Sequence, residues 1–234
     1  MIKDEYLPST EHAKSYPLPP GRVGIMVVDL VYYDAWPGTP FDISLRESGV
    51  DTAYYHNRIT STIVPVVTDL VNAVRLQGGP VLWVKPSLIF DDAHDWPRAS
   101  RASRKGSSHF GTCRPGSQGY DLIPGLQADP ADYVVPKKCV SAFWGGSAGS
   151  ILRHCDVRHL LLTGCLTNYG VMVNAVDAAN NNLQVTIVDD GCAALSDEVH
   201  RASLALHSKM YAVATAADVI PKLAFPARNE GLVL

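Results

Sequence analysis

The feature that most constrains this chain is an alternation. Short, nearly unbroken apolar runs take turns with stretches of helical spacing along its 234 residues. The first run, Val23-Gly24-Ile25-Met26-Val27-Val28, ends in Asp29. A run without polar alternation fits a strand buried on both faces, as in a parallel sheet. Between 58 and 77, Ile59, Ile63, Val66, Val67, Leu70, Val71 and Val74 recur at helical spacing, and Gly78-Gly79 stops the pattern. Further strands are expected at 80–84, 133–136, 159–164, 184–189 and 211–215, with helices at 147–154, 168–182 and 196–209. Ser196 reads as an N-cap, with Asp197 and Glu198 placed to suit the helix dipole. Strands alternating with helices imply βαβ units with right-handed crossovers. The expected fold class is therefore α/β, with a mostly parallel sheet of about six strands.

Three stretches carry no such pattern. Residues 1–22 read as an N-terminal arm ending in the turn Pro19-Pro20-Gly21, and 30–57 as an aromatic, turn-rich loop. Residues 86–119, rich in Ser, Arg, Gly and His, read as a lid-like loop, since a loop that long in a compact domain usually covers a site. The remainder, 23–234, is expected to be a single domain.

Composition excludes several classes. An apolar share of 47% with net charge −3 argues against disorder and gives no electrostatic footprint for nucleic acid or an anionic membrane. No apolar run approaches the ~18 residues of a membrane span, and the N-terminus has no hydrophobic core of a signal peptide. The five cysteines are an odd set without a C-x-x-C pair, against a disulfide framework or a zinc knuckle. A reducing, cytoplasmic setting is expected.

In a parallel sheet the ligand crevice lies at the carboxyl ends of the strands. That singles out Asp29, Lys137 and the turn 164–170. Asp29 is either a satisfied loop acid or a reactive carboxylate. Lys137 and Lys138 are either a solvated pair or the source of a cation that pins an acid's charge. The 164–170 turn opens a helix, where free amides suit an oxyanion, or it is a plain turn capped by Asn168. The group Asp91, Asp92, His94 and Asp95 has no spacing that fixes a metal geometry and reads as solvated loop. The basic residues Arg98, Arg101, Arg104 and Lys105 read mainly as solvated lid surface. His109, His200 and His207 receive no role. There is no GxGxxG, P-loop or HExxH.

Three ordered segments resemble the isochorismatase-like hydrolase (cysteine hydrolase) superfamily. They are Ile25-Met26-Val27-Val28-Asp29; Val134-Val135-Pro136-Lys137 followed by Ser141-Ala142-Phe143; and Leu161-Leu162-Thr163-Gly164-Cys165-Leu166-Thr167-Asn168-Tyr169-Gly170-Val171 continuing to Asp177-Ala178. The match runs from about residue 22 to 220, nearly the whole chain, and the ordered set is specific although no single segment is. The stretch from Pro136-Lys137 to Arg158-His159-Leu160 is similar to the ureide- and amide-cleaving branch.

The resemblance implies a Rossmann-like three-layer α/β/α sandwich and a catalytic set of Asp, Lys and Cys. Asp29 matches the Asp and Lys137 the Lys, while the nucleophile position holds Gly170 instead of a thiol. Cys165 lies five residues early and reads as a buried small hydrophobe. The resemblance further implies an oxyanion hole from the amides of Thr167 and Gly170, and a cis peptide at Leu166-Thr167. Lys85-Pro86-Ser87-Leu88 stands where the metal-binding branch carries its ligands, so no metal and no cofactor are expected. Tyr33, Trp36, Trp144 and Tyr169 lie near the matched segments as candidate walls for a small-molecule substrate, with core or interface packing as the alternative. Relatives commonly form dimers or tetramers, so a homo-oligomer is expected. Three readings follow: C–N cleavage of a small amide or ureide by Asp-Lys-Cys chemistry, with this chain an inactive or substrate-trapping form because Gly170 holds the Cys position; vinyl-ether hydrolysis with Asp29 as general acid; or a ligand-binding pseudoenzyme.

Overall fold

The structure, a computed structural model, describes residues 18–19, 21–90, 92–103 and 113–223. Most of the expected N-terminal arm, Asp91, and the lid residues Arg104, Lys105 and His109 lie outside the described residues.

Six strands form one sheet: β1 (Val23–Val28), β2 (Val81–Pro86), β3 (Tyr133–Lys137), β4 (His159–Cys165), β5 (Gln184–Ala193) and β6 (Ala212–Ala214). They run in the order β3-β2-β1-β4-β5-β6, and every pairing is parallel. The chain thus fills one half of the sheet outward from β1, then returns to β4 and fills the other. The order reverses between β1 and β4, and a crevice at such a switch point opens above their carboxyl ends.

Both faces of β1 are covered, which explains its unbroken apolar run. Side chains alternate across a strand. Val23, Ile25 and Val27 pack with Ile59, Ile63, Val67, Leu70 and Val74 of the helix Ala53–Leu76. Met26 and Val28 pack on the other side with Leu152, Val171, Ala175 and Leu204. The result is the α/β/α sandwich. Gly164, near the end of β4, has φ +112°, and a Cβ there would lie 2.0 Å from the Val28 carbonyl oxygen. Only glycine lets β4 approach β1 this closely where the crevice opens.

The structure corrects the loop expected at 30–57. It holds the short helices Tyr32–Ala35 and Pro40–Glu47, and the long helix begins at Ala53, ahead of Arg58. The signals were local, too short for periodicity to reveal. Thr39 caps the second helix by accepting from the Asp42 amide at 3.3 Å, with Pro40 at its first position. Asp42 is buried and accepts from the Gly38 amide (2.8 Å) and the Thr52 hydroxyl (2.7 Å), and lies 2.9 Å from His56 Nε2. Burial alone would raise its pKa, but these bonds win and hold it at about 2. Within the expected lid, Arg98–Ser103 is helical. β5 runs on to Ala193, past Asp189, the expected end of the strand.

Candidate active site

Asp29 follows β1 directly and adopts φ +57°, a left-handed conformation that Asp tolerates better than most residues. Two contacts fix it: its amide donates to the Val84 carbonyl at 3.0 Å, and its carbonyl accepts from Cys165 Sγ at 3.2 Å. Lys137 closes β3, two strands away and in register with Pro86. Its Nζ donates to Asp29 Oδ2 at 2.7 Å and to the Val140 carbonyl at 3.0 Å. Both side chains are buried. Burying such a pair is costly, and removing one partner typically costs about 3–5 kcal/mol. Lys138, its sequence neighbour, pairs instead with Asp95 at 2.7 Å.

The turn after β4 supplies the opposite wall. The cis peptide is Cys165-Leu166, one residue before the expected position. The Leu166 carbonyl accepts from the amides of Tyr169 (2.9 Å) and Val171 (3.1 Å), while its own N–H donates to none of the described residues. Leu166 and Gly170 line the cavity; Thr167 does not. Thr167 is fully buried, with its hydroxyl 2.9 Å from His200 Nδ1 and its carbonyl 3.2 Å from His207 Nε2. A π-helical turn over Thr167–Val171 rotates it away from the crevice.

Gly170 faces Asp29. A Cβ at this position would stand 3.3 Å from Asp29 Oδ2 and 3.2 Å from Val28 Cγ1, but only 2.8 Å from the Cys165 carbonyl oxygen. The turn has closed on a residue without a side chain. Asn174, fully buried, ties this turn to the loop after Lys137. Its amide donates to the carbonyls of Gly170 (2.8 Å) and Val140 (3.3 Å), and its Oδ1 accepts from the Ala142 amide at 2.8 Å.

These groups meet at one end of a cavity of about 310 Å³. Its other walls are Phe41, Leu45, Tyr55, Trp96, Val140 and Leu195, with half-exposed Tyr169 at the rim. Of the four aromatic walls expected, three stand elsewhere. Tyr33 is buried in a cluster behind the cavity, its ring 6.2 Å from that of Phe41. Trp36 packs on the main core and on Tyr32 at 5.4 Å, and Trp144 is 85% exposed. Successive residues of a helical turn diverge by about 100°. Within Tyr32–Ala35 that brings Asp34, not Tyr33, to the cavity wall. Sequence reasoning missed Asp34, Phe41 and Leu45 because they lie in the stretch read as a loop.

The cysteines are a separate matter. Cys165 lines the cavity but is buried, and that burial, reinforced by the charges of Asp34 and Asp29, pushes its pKa well up. It stays a thiol that donates to the Asp29 carbonyl. Burial likewise raises Cys192, which points to the Leu162 carbonyl. Cys113 is buried beside Tyr33 and Trp96. Cys155 lies 3.5 Å from the Tyr133 hydroxyl. Cys139 is on the cavity wall, its Sγ 3.3 Å from the Ser141 carbonyl. Of the lid's acidic group, the described residues part company: Asp95 pairs with Lys138, and exposed Asp92 contacts His94 at 2.6 Å. Among the described residues no three His, Cys, Asp or Glu are gathered as a metal site.

Known proteins are similar to this chain in sequence and in fold. The isochorismatase domain profile matches residues 53–219. The isochorismatase family protein YwoC of Bacillus subtilis, itself uncharacterized, is 27% identical over 144 residues, spanning 61% of this chain and 72% of that protein. The ureidoacrylate amidohydrolase RutB of Methylobacterium radiotolerans is 26% identical over 201 residues, 80% of this chain and 74% of its own. The crystal structure of a cysteine hydrolase from Pseudomonas syringae pv. phaseolicola superposes with a TM-score of 0.76, covering 90% of this chain and 96% of that one at 21% identity. At that identity the likeness speaks for the fold.

Proposed function

This chain belongs to the isochorismatase family of hydrolases, and from that premise we propose that it cleaves a C–N bond of a small amide or ureide by acid–base chemistry at Asp29, without a covalent intermediate. The observation that carries this is the buried Asp29–Lys137 pair beside Gly170, where no nucleophile stands. Asp29, ion-paired with Lys137, takes a proton from water, and the hydroxide attacks the carbonyl carbon. The oxyanion forms against the amides of Leu166 and Gly170, the former free of partners among the described residues. Asp29 then gives the proton to the leaving nitrogen, the C–N bond breaks, and the carboxylated product and amine depart. The amidohydrolase name of the RutB relative supports this bond class.

A second reading is favoured by the same crowding at position 170. Vinyl-ether hydrolysis needs an acid to protonate carbon and no nucleophile from the protein, so Asp29 alone suffices. The test is turnover of a panel holding ureidoacrylate, simple amides and N-carbamoyl acids, with isochorismate beside them. Release of ammonia or amine supports the first reading, and release of pyruvate the second. Saturable binding without either product makes the chain a ligand-binding pseudoenzyme and overturns both.

A further inference from the structure

We infer that His200, through the Thr167 hydroxyl, is a positioning residue that fixes the oxyanion-binding turn. The inference rests on the hydrolase reading above. Neither residue lines the cavity, so neither touches substrate. Both are buried, and their contacts form a continuous chain. Thr167 Oγ1 lies 2.9 Å from His200 Nδ1. His200 Nε2 lies 2.9 Å from Asp189 Oδ1 and 2.9 Å from Arg58 Nη2. Arg58 is itself anchored, donating from Nε to the Cys192 carbonyl at 2.9 Å and from Nη2 to the Asp189 carbonyl at 3.0 Å. The long helix, β5 and the helix Asp197–His207 therefore all bear on one hydroxyl.

The Thr167 hydroxyl is engaged whichever way the imidazole is protonated. With the proton on Nδ1, His200 donates to Thr167 and accepts from Arg58. With it on Nε2, His200 donates to Asp189 and accepts from the Thr167 hydroxyl. His207 holds the same residue from the other side, its Nε2 donating to the Thr167 carbonyl. Thr167 is thus gripped at side chain and backbone, immediately after Leu166 and three residues before Gly170. An oxyanion donor acts only within about 2.7–3.1 Å of the developing charge, and a displacement of about 1 Å can cost on the order of a hundredfold. A buried clamp on the residue between the two amides sets that geometry.

The experiment compares Thr167→Val, which keeps the shape and loses the hydroxyl, with Thr167→Ser, which keeps the hydroxyl. On the panel substrate that the unaltered chain turns over, Thr167→Val is expected to lower kcat about ten- to a hundredfold with KM little changed, and Thr167→Ser to recover most of that loss. Amide hydrogen exchange across 166–170 is expected to quicken in the Val variant alone, with β4 still protected. Unchanged kcat in Thr167→Val, or an equal loss in Thr167→Ser, overturns the assignment. If the unaltered chain turns over no panel substrate, the hydrolase reading fails. The exchange data then stand alone: unchanged exchange in Thr167→Val overturns the clamp as well, and faster exchange in that variant only upholds it.

Discussion

The two ends of the parallel sheet bury polar groups in opposite ways. At the amino ends, Asp132 and His159 are taken up by neighbouring groups. Asp132 accepts from Trp83 Nε1 (2.7 Å), the Asp129 amide (2.9 Å) and Arg75, and His159 contacts the Thr186 hydroxyl at 2.7 Å. At the carboxyl ends, Asp29, Asp34 and Lys137 converge on a cavity. Equal burial therefore does not mean equal purpose. Asp132 and Arg75 line a groove of their own, but there the Asp132 carboxylate is taken up by Trp83, Arg75 and a backbone amide, whereas Asp29 stands in the cavity beside the turn that carries Gly170.

Substitutions at the carboxyl ends should lower the rate, and those at the amino ends stability alone. The largest effect is expected for Asp29→Asn, which should lower kcat/KM about a thousandfold or more and, by leaving Lys137 unpaired, also cost about 3 kcal/mol of stability in urea unfolding. Retained turnover in this variant would erase the distinction between the ends. Next comes His159, at the start of β4. Burial lowers its pKa to about 4, against the reference value of 6.5. The unfolded chain binds this proton below 6.5 and the folded chain only below about 4, so its contribution is complete above 6.5 and is lost as pH falls towards 4. Urea unfolding should show about 3 kcal/mol of such loss, reduced in His159→Gln. Parallel curves for the two proteins would contradict it.

Asp132→Asn, at the same end, should cost about 2 kcal/mol of stability with kcat unchanged, because it weakens the Arg75 and Trp83 bonds far from the cavity. A fall in kcat there would show that the two ends are coupled. The smallest effect is expected at Gly170. Gly170→Cys must push its Cβ away from the Cys165 carbonyl, and about a tenfold loss of turnover is expected. A gain instead would mean that the turn accepts a thiol and that covalent chemistry suits this site.

The two ends also differed in how much the sequence revealed. Strands buried on both faces leave unbroken apolar runs, so β1 and β4 could be read directly, and the residues just beyond them named Asp29 and the 164–170 turn. Lys137 was found the same way, at the close of β3. The apolar wall was not legible. Phe41 and Leu45 sit in a helix of eight residues, and Asp34 in one of four, both too short to impose a period. Which residue of a turn faces inward is equally hidden. Thr167 and Leu166 are neighbours, yet a π-helical turn and a cis bond decide that Leu166 meets the cavity. His200 gave no signal, because its partners lie 11, 33 and 142 positions away in sequence.

The central claim is that Asp29 works without a nucleophile from the protein, and mass spectrometry during turnover tests it most directly. Samples quenched in acid at steady state, with product accumulating, should contain the protein only at its unmodified mass. A substrate-derived adduct on any cysteine, forming and decaying at the turnover rate, would contradict it.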